Sequence, residues 1–95
     1  MRRAARTDQN HDEIVQALRK VGATVQSLAA VGAGVPDLLV GFRGQTFLVE
    51  IKNPEKSPSE RQLTPAQKIW HHCWTGGPLA VVETVEDVLK VLGVK

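Results

Sequence analysis

The chain lacks the residues that would crosslink it or anchor it in a membrane. Its one cysteine, Cys73, cannot form an internal disulfide or, by itself, a thiolate zinc site, which fits a reducing compartment. Tyrosine is absent and aromatic residues make up only 4% of the chain, so no aromatic platform for single-stranded nucleic acid is expected. No apolar run approaches the roughly 18 residues that cross a bilayer, and no apolar stretch follows the polar N-terminus to make a signal peptide. We therefore predict a cytoplasmic protein with no membrane contact.

The composition that is present is that of a globular domain. Hydrophobic residues make up 42% and charged residues 23% of the 95 residues, so we expect one folded domain spanning 1–95. A core of this size is marginal, and burial against a second copy would help to stabilise it. The net charge of +2 permits a polyanionic partner without demonstrating one.

Hydrophobic periodicity and turn signals predict seven elements in the order helix, strand, strand, strand, helix, strand, helix. They are a helix over 8–20, strands over 23–29, 37–42 and 45–52, a helix that begins at Thr64 and ends before Gly76, a strand over 79–83, and a helix over 85–92. The polar segment 53–63 is typical of an exposed loop. This order predicts an α/β fold in which a mixed sheet is covered by helices.

The second and third strands are predicted to form a hairpin around Arg43 and Gly44. With these two as the loop residues, facing positions sum to 87, and Asp37 lies across from Glu50. The weak point of this register is Arg43, because a tight primed turn requires positive φ at both loop positions. Strand alternation then places six apolar side chains on one face: Leu38, Val40, Phe42, Phe47, Val49 and Ile51.

The opposite face gathers Asp37, Glu50 and Lys52 at the end of the hairpin away from the turn. Facing carboxylates with side-chain roots about 5 Å apart repel each other, so a purely structural sheet would seldom pair them. Mg²⁺ removes the conflict, because it prefers oxygen ligands and commonly binds one or two carboxylates together with water and substrate phosphate. Lys52 could then orient or help deprotonate a water, or neutralise a phosphate oxygen. The alternative is that Lys52 only pairs with the two acids.

Three short segments, in the order in which they follow one another along the chain, resemble the motifs of a known nuclease family. They are Val-Pro-Asp at 35–37, Glu-Ile-Lys at 50–52 and Leu-Thr-Pro-Ala-Gln at 63–67. They are similar to the PD-(D/E)XK nuclease superfamily, and specifically to its VRR-NUC (virus-type replication-repair nuclease) branch, over nearly the whole chain. The resemblance implies a small restriction-endonuclease-like fold. It also implies that Asp37 and Glu50 bind Mg²⁺ or Mn²⁺, that the Ile51 carbonyl can add a ligand, and that Lys52 acts on the attacking water.

Two further candidate site residues have competing interpretations. The resemblance makes Glu13, on the first helix, a candidate metal ligand, whereas the helix dipole alone explains an acid in a first turn. Gln67 is the far half of a capping box with Thr64, worth about 1 kcal/mol to the helix. The resemblance points Gln67 at the metal site instead. Because we expect that one side chain cannot easily do both, the two interpretations of Gln67 stay open.

The predicted contacts with DNA phosphates are basic residues at the N-terminus and in turns, although charges in loops are usually just solvated. They are Arg2, Arg3, Arg6, Arg43, Lys56 and Arg61.

Together these residues predict a Mg²⁺-dependent DNA endonuclease in which Lys52 positions the attacking water. The resemblance implies a homodimer that cuts branched DNA such as four-way (Holliday) junctions in DNA repair, and it is compatible with a phage-encoded protein in a bacterial host. One alternative is a catalytically silent DNA-binding or assembly subunit with the same fold. The other is a monomeric nuclease that nicks DNA or cuts flaps.

Overall fold

The computed structural model describes residues 9–94, and its seven elements follow one another in the predicted order. The helices are α1 (Gln9–Lys20), α2 (Pro65–Cys73) and α3 (Val85–Leu92). The strands are β1 (Thr24–Ser27), β2 (Leu38–Phe42), β3 (Gln45–Ile51) and β4 (Leu79–Val82). The predicted α/β fold with a mixed sheet flanked by helices is confirmed. No helix within the described range is long and apolar enough to span a membrane.

The four strands form one sheet in the order β1-β2-β3-β4, with β3 and β4 parallel and the other neighbours antiparallel. Phe42 pairs with Gln45 and Leu38 with Val49, which is the predicted hairpin register. Arg43 accepts the left-handed conformation that the turn requires, with φ of 52°, and Gly44 follows with φ of 80°. The Arg43 guanidinium lies 4.7 Å from the centre of the Phe42 ring, a cation–π contact that helps to offset this strain.

One face of the sheet packs against α1 and α3. Five of the six predicted apolar side chains are buried in this core, and Ile51 is half-buried at its margin. Ile14 and Leu18 of α1 and Val88 and Leu92 of α3 complete it. Each fully buried aliphatic side chain contributes roughly 1.5–3 kcal/mol, so a one-residue slip that turned the acids inward would be strongly unfavourable. This core therefore fixes which side chains reach the other face.

The second helix, α2, lies on that other face and adds little to the core. None of its residues is buried, and Ile69 is 66% exposed. Trp70 stacks on Trp74 just beyond the helix, with ring centroids 5.2 Å apart. The position of α2 therefore depends on a few specific contacts near its ends rather than on a large buried surface.

Candidate active site

Asp37 and Glu50 meet at the open end of the β2–β3 hairpin. Asp37 directly precedes Leu38, whose partner across the hairpin is Val49, so the register brings Asp37 opposite Glu50. The Asp37 carboxylate accepts a hydrogen bond of 2.8 Å from the backbone N–H of Ile51 at its Oδ2 atom. This bond ties the first acid to the strand that carries the second.

Glu50 is the one buried charged side chain in the part of the chain that the structure describes, with 3% of its surface exposed. Burial, and then the charge of Asp37, raise its pKa from 4.5 to about 7, although the neighbouring ammonium of Lys52 acts in the opposite direction. Its Oε1 atom is buried without a hydrogen-bond partner among the described residues. A buried carboxylate oxygen without a hydrogen-bond partner, beside a second carboxylate, is a suitable ligand for a hard divalent cation.

Lys52 directly follows β3, and its side chain extends to the same site. Its Nζ atom lies 3.7 Å from Glu50 Oε2 and donates a hydrogen bond of 2.8 Å to Gln67 Oε1. The side chain is only 12% exposed, so this ion pair is less screened than a surface pair would be. The ammonium is thereby held against the acids rather than left free in solvent.

Gln67 serves the capping box and the site with the same amide group. Its Oε1 accepts from the backbone N–H of Thr64 at 2.9 Å while also accepting from Lys52 Nζ, and its own backbone N–H donates to Thr64 Oγ1 at 3.2 Å. Its Nε2 donates to Glu50 Oε2 at 3.1 Å. The expectation that one side chain could not easily do both is therefore wrong. An amide has two acceptor lone pairs on its oxygen and two donors on its nitrogen.

Gly34 brings the start of α2 onto the site. It has φ of +85°, and a Cβ atom there would lie 2.4 Å from the carbonyl oxygen of Ala66. Only glycine allows the loop before Asp37 to approach the first turn of α2 this closely. The Gly34 contact is therefore one of the few that hold Gln67 over Glu50 and Lys52.

Glu13 does not join the two acids. It is exposed on α1, where Gln9 donates a hydrogen bond of 3.4 Å to its carboxylate, and it lines a cleft with Glu83 and Glu86. Across residues 9–94, no three His, Cys, Asp or Glu side chains come together closely enough to hold a metal ion. The side chain of α1 that does reach the site region is Asn10, which donates a hydrogen bond of 3.0 Å to the backbone carbonyl of Lys52.

The other predicted contacts are spread over the molecule. Lys56 lines an open pocket of about 380 Å³ together with Lys52. Arg61 forms an ion pair of 3.3 Å with Glu83, and Arg43 lies at the hairpin turn, at the opposite end from the acids. The N-terminal arm residues Arg2, Arg3 and Arg6 lie outside the described residues.

His71 lies one helical turn beyond Gln67 and is half-buried. Burial, and then the nearby charge of Lys52, lower the pKa of this imidazole. The Nε2 atom is buried without a hydrogen-bond partner among the described residues. Sequence reasoning did not connect His71 to the site, because adjacent aromatic and polar residues gave no signal of which helix face it occupied.

The mixed sheet, its flanking helices and the Asp-Glu-Lys arrangement at the hairpin end define a small restriction-endonuclease-like fold. A comparison with solved structures finds a match to a chain described as a "VRR_NUC domain", with a TM-score of 0.65 and 24% identity. The match covers 90% of this chain and 91% of that one. No family model matches the sequence, and a search of the curated proteins finds no match. The resemblance to VRR-NUC domains stated from the sequence is thus confirmed at the level of the fold.

Proposed function

We propose that this chain is a metal-dependent nuclease of the PD-(D/E)XK type that hydrolyses phosphodiester bonds in DNA. The observation that carries the proposal is the pairing of Asp37 with a buried Glu50, beside a Lys52 ammonium that Gln67 holds in place. A sheet gains nothing in stability from a buried acid whose pKa rises to about 7. A buried acid with a raised pKa beside an amine is typical of a site that performs chemistry.

Asp37 and Glu50 are the residues that would hold Mg²⁺ or Mn²⁺, and the backbone carbonyl of Ile51 is a candidate third ligand. When bound, such an ion lowers the pKa of a water and stabilises the charge that grows on a phosphoryl oxygen. Lys52 uses one of its three donors on Gln67, which leaves two for a phosphate oxygen or the attacking water. Gln67 fixes both the ammonium and Glu50, so the groups are oriented before the substrate arrives.

The substrate that we propose is duplex or branched DNA, because a chain with only 4% aromatic residues offers no stacking platform for a single strand. Lys56 lies beside Lys52 in one open pocket, and further contacts would come from Arg61, Arg43 and the N-terminal arm. Recognition through these groups would read phosphates and shape rather than bases. A four-way junction is the substrate that the resemblance implies.

A homodimer is the assembly that we propose for this nuclease. Ile69 on α2, Trp74 beyond it, and Val81 and Leu39 on the sheet are large apolar side chains that are 66%, 37%, 47% and 37% exposed, respectively. A second copy that covered such a surface would also stabilise a small core. Two sites related by a twofold axis could cut two strands of one junction.

The test is cleavage of labelled four-way junction, flap, single-stranded and linear duplex DNA, each with Mg²⁺ or with EDTA. Lys52→Ala should abolish cutting, and the matched control Lys68→Ala, an exposed lysine on α2, should cut like the wild type. Cutting in EDTA, or equal cutting by Lys52→Ala, would contradict the mechanism. Binding of DNA without any cutting would favour the silent-subunit alternative. Light scattering separates the proposed dimer from a monomeric flap or nicking nuclease.

A further inference from the structure

The side-chain amide of Asn10 joins the ends of two strands at the site. Asn10 lies in the first turn of α1, and its Nδ2 atom donates to the carbonyl of Lys52 at 3.0 Å and to the carbonyl of Glu83 at 3.1 Å. Lys52 and Glu83 directly follow the last residues of β3 and β4, where the parallel pairing of the two strands ends. One NH₂ group has two hydrogens, so it can satisfy both carbonyls at once.

The bridge fixes the backbone from which the catalytic ammonium projects. The N–H of Lys52 donates to the carbonyl of Val82 at 2.9 Å, while its carbonyl is held by Asn10. Glu83, the other end of the bridge, donates its own N–H to Asp87 Oδ2 at 3.0 Å in the capping box of α3. Lys52 is therefore connected to the starts of both core helices.

We propose that Asn10 is a positioning residue for Lys52, an inference that rests on the proposed nuclease function. Lys52 Nζ is 2.8 Å from Gln67 Oε1 and 3.7 Å from Glu50 Oε2, so the backbone at Lys52 sets the point from which one side chain must reach both groups. A misplacement of about 1 Å can cost roughly 100-fold in rate. In this chain, α1 thus supports the site through an amide that holds the Lys52 backbone, and not through the Glu13 carboxylate.

The test compares Asn10→Ala with Gln9→Ala, which removes an amide from the same helical turn whose bond among the described residues is to Glu13. We expect Asn10→Ala to lower kcat about 10- to 100-fold with KM for DNA within about twofold of the wild type. Gln9→Ala should match the wild type in both. The amide of Lys52 should also exchange its hydrogen at least about tenfold faster in Asn10→Ala than in Gln9→Ala, because an opened strand end exposes it. If Asn10→Ala fails to fold, Asn10→Gln, which keeps the NH₂ group on a longer side chain, should show smaller changes in the same direction.

Wild-type kcat and Lys52 exchange in a folded Asn10 variant would overturn the inference. So would a loss of cleavage caused only by a higher KM. If the wild-type protein cuts no DNA in Mg²⁺, the proposed function fails, and the hydrogen-exchange arm alone decides whether Asn10 holds Lys52. In that case, faster exchange supports the tether, and unchanged exchange refutes it.

Discussion

Replacing the buried carboxylate of Glu50 with an amide should stabilise the protein in EDTA while removing the proposed nuclease activity. The folded environment raises the pKa of Glu50 from 4.5 to about 7, so the folded state binds this proton more tightly than the unfolded state. Below about pH 4.5 both states are protonated, and the group has no net effect. As the pH rises from 4.5 to 7, the unfolded chain loses the proton first, and the free energy of unfolding falls. A pKa raised from 4.5 to about 7 corresponds to roughly 3 kcal/mol in the free energy of unfolding. Relative to its value below pH 4.5, the free energy of unfolding has fallen by this full amount above pH 7.

Glu50→Gln has no charge to bury and keeps the shape of the side chain. Its amide oxygen can still accept from Gln67 Nε2, and its amide nitrogen can donate to Asp37, which replaces repulsion with a hydrogen bond. We therefore expect the variant to match the wild type near pH 4 and to exceed its free energy of unfolding by about 2–3 kcal/mol at pH 8.

The assay is urea unfolding in EDTA at several pH values between 4 and 8, followed by DNA cleavage in Mg²⁺. Glu60→Gln is the control, because hydrogen bonds from Ser57 lower the pKa of Glu60, so losing its charge should not stabilise the fold. Glu50→Gln should cut no DNA. A variant that is no more stable than the wild type at pH 8, or one whose gain is the same at every pH, would refute the reasoning.

Three further outcomes are expected from the contacts of α2. Gly34→Ala should lower the free energy of unfolding by about 2 kcal/mol or more in urea titrations, since its Cβ would lie 2.4 Å from the Ala66 carbonyl. Gly32→Ala, also at positive φ but with nothing within 4 Å, should cost less, and equal losses would show that the contact with α2 does not matter. Gln67→Ala should lower the free energy of unfolding by about 1 kcal/mol in the same titrations, because the capping box is lost, and it should also lose most of the cleavage rate. A loss of stability without a loss of rate would show that Gln67 acts only as a helix cap. Ile69→Lys should convert the proposed dimer to a monomer in light scattering, and an unchanged mass would place any dimer contact elsewhere.

The features predictable from the sequence are those whose partners are close along the chain or repeat with a fixed period. The hairpin register follows from the Arg43-Gly44 turn and from alternation, because a slip of one residue would turn a uniformly apolar face outward. The Thr64 capping box could be predicted for the same reason, since its two residues are three positions apart. Alternation along the two strands was therefore enough to assign Asp37 and Glu50 to one face of the sheet.

Only the tertiary structure decided which helices contact the residues of the site and with which atoms. Asn10 contacts Lys52, 42 positions away, and Gln67 contacts Glu50, 17 positions away, and no local pattern encodes either distance. Glu13 has the charge of a metal ligand and lies on the helix expected to supply one. Because the adjacent Ile14 packs into the core, the Glu13 side chain is left exposed at the surface. Periodicity determines which face of an element is apolar, whereas the packing of one element on another determines which polar side chains meet.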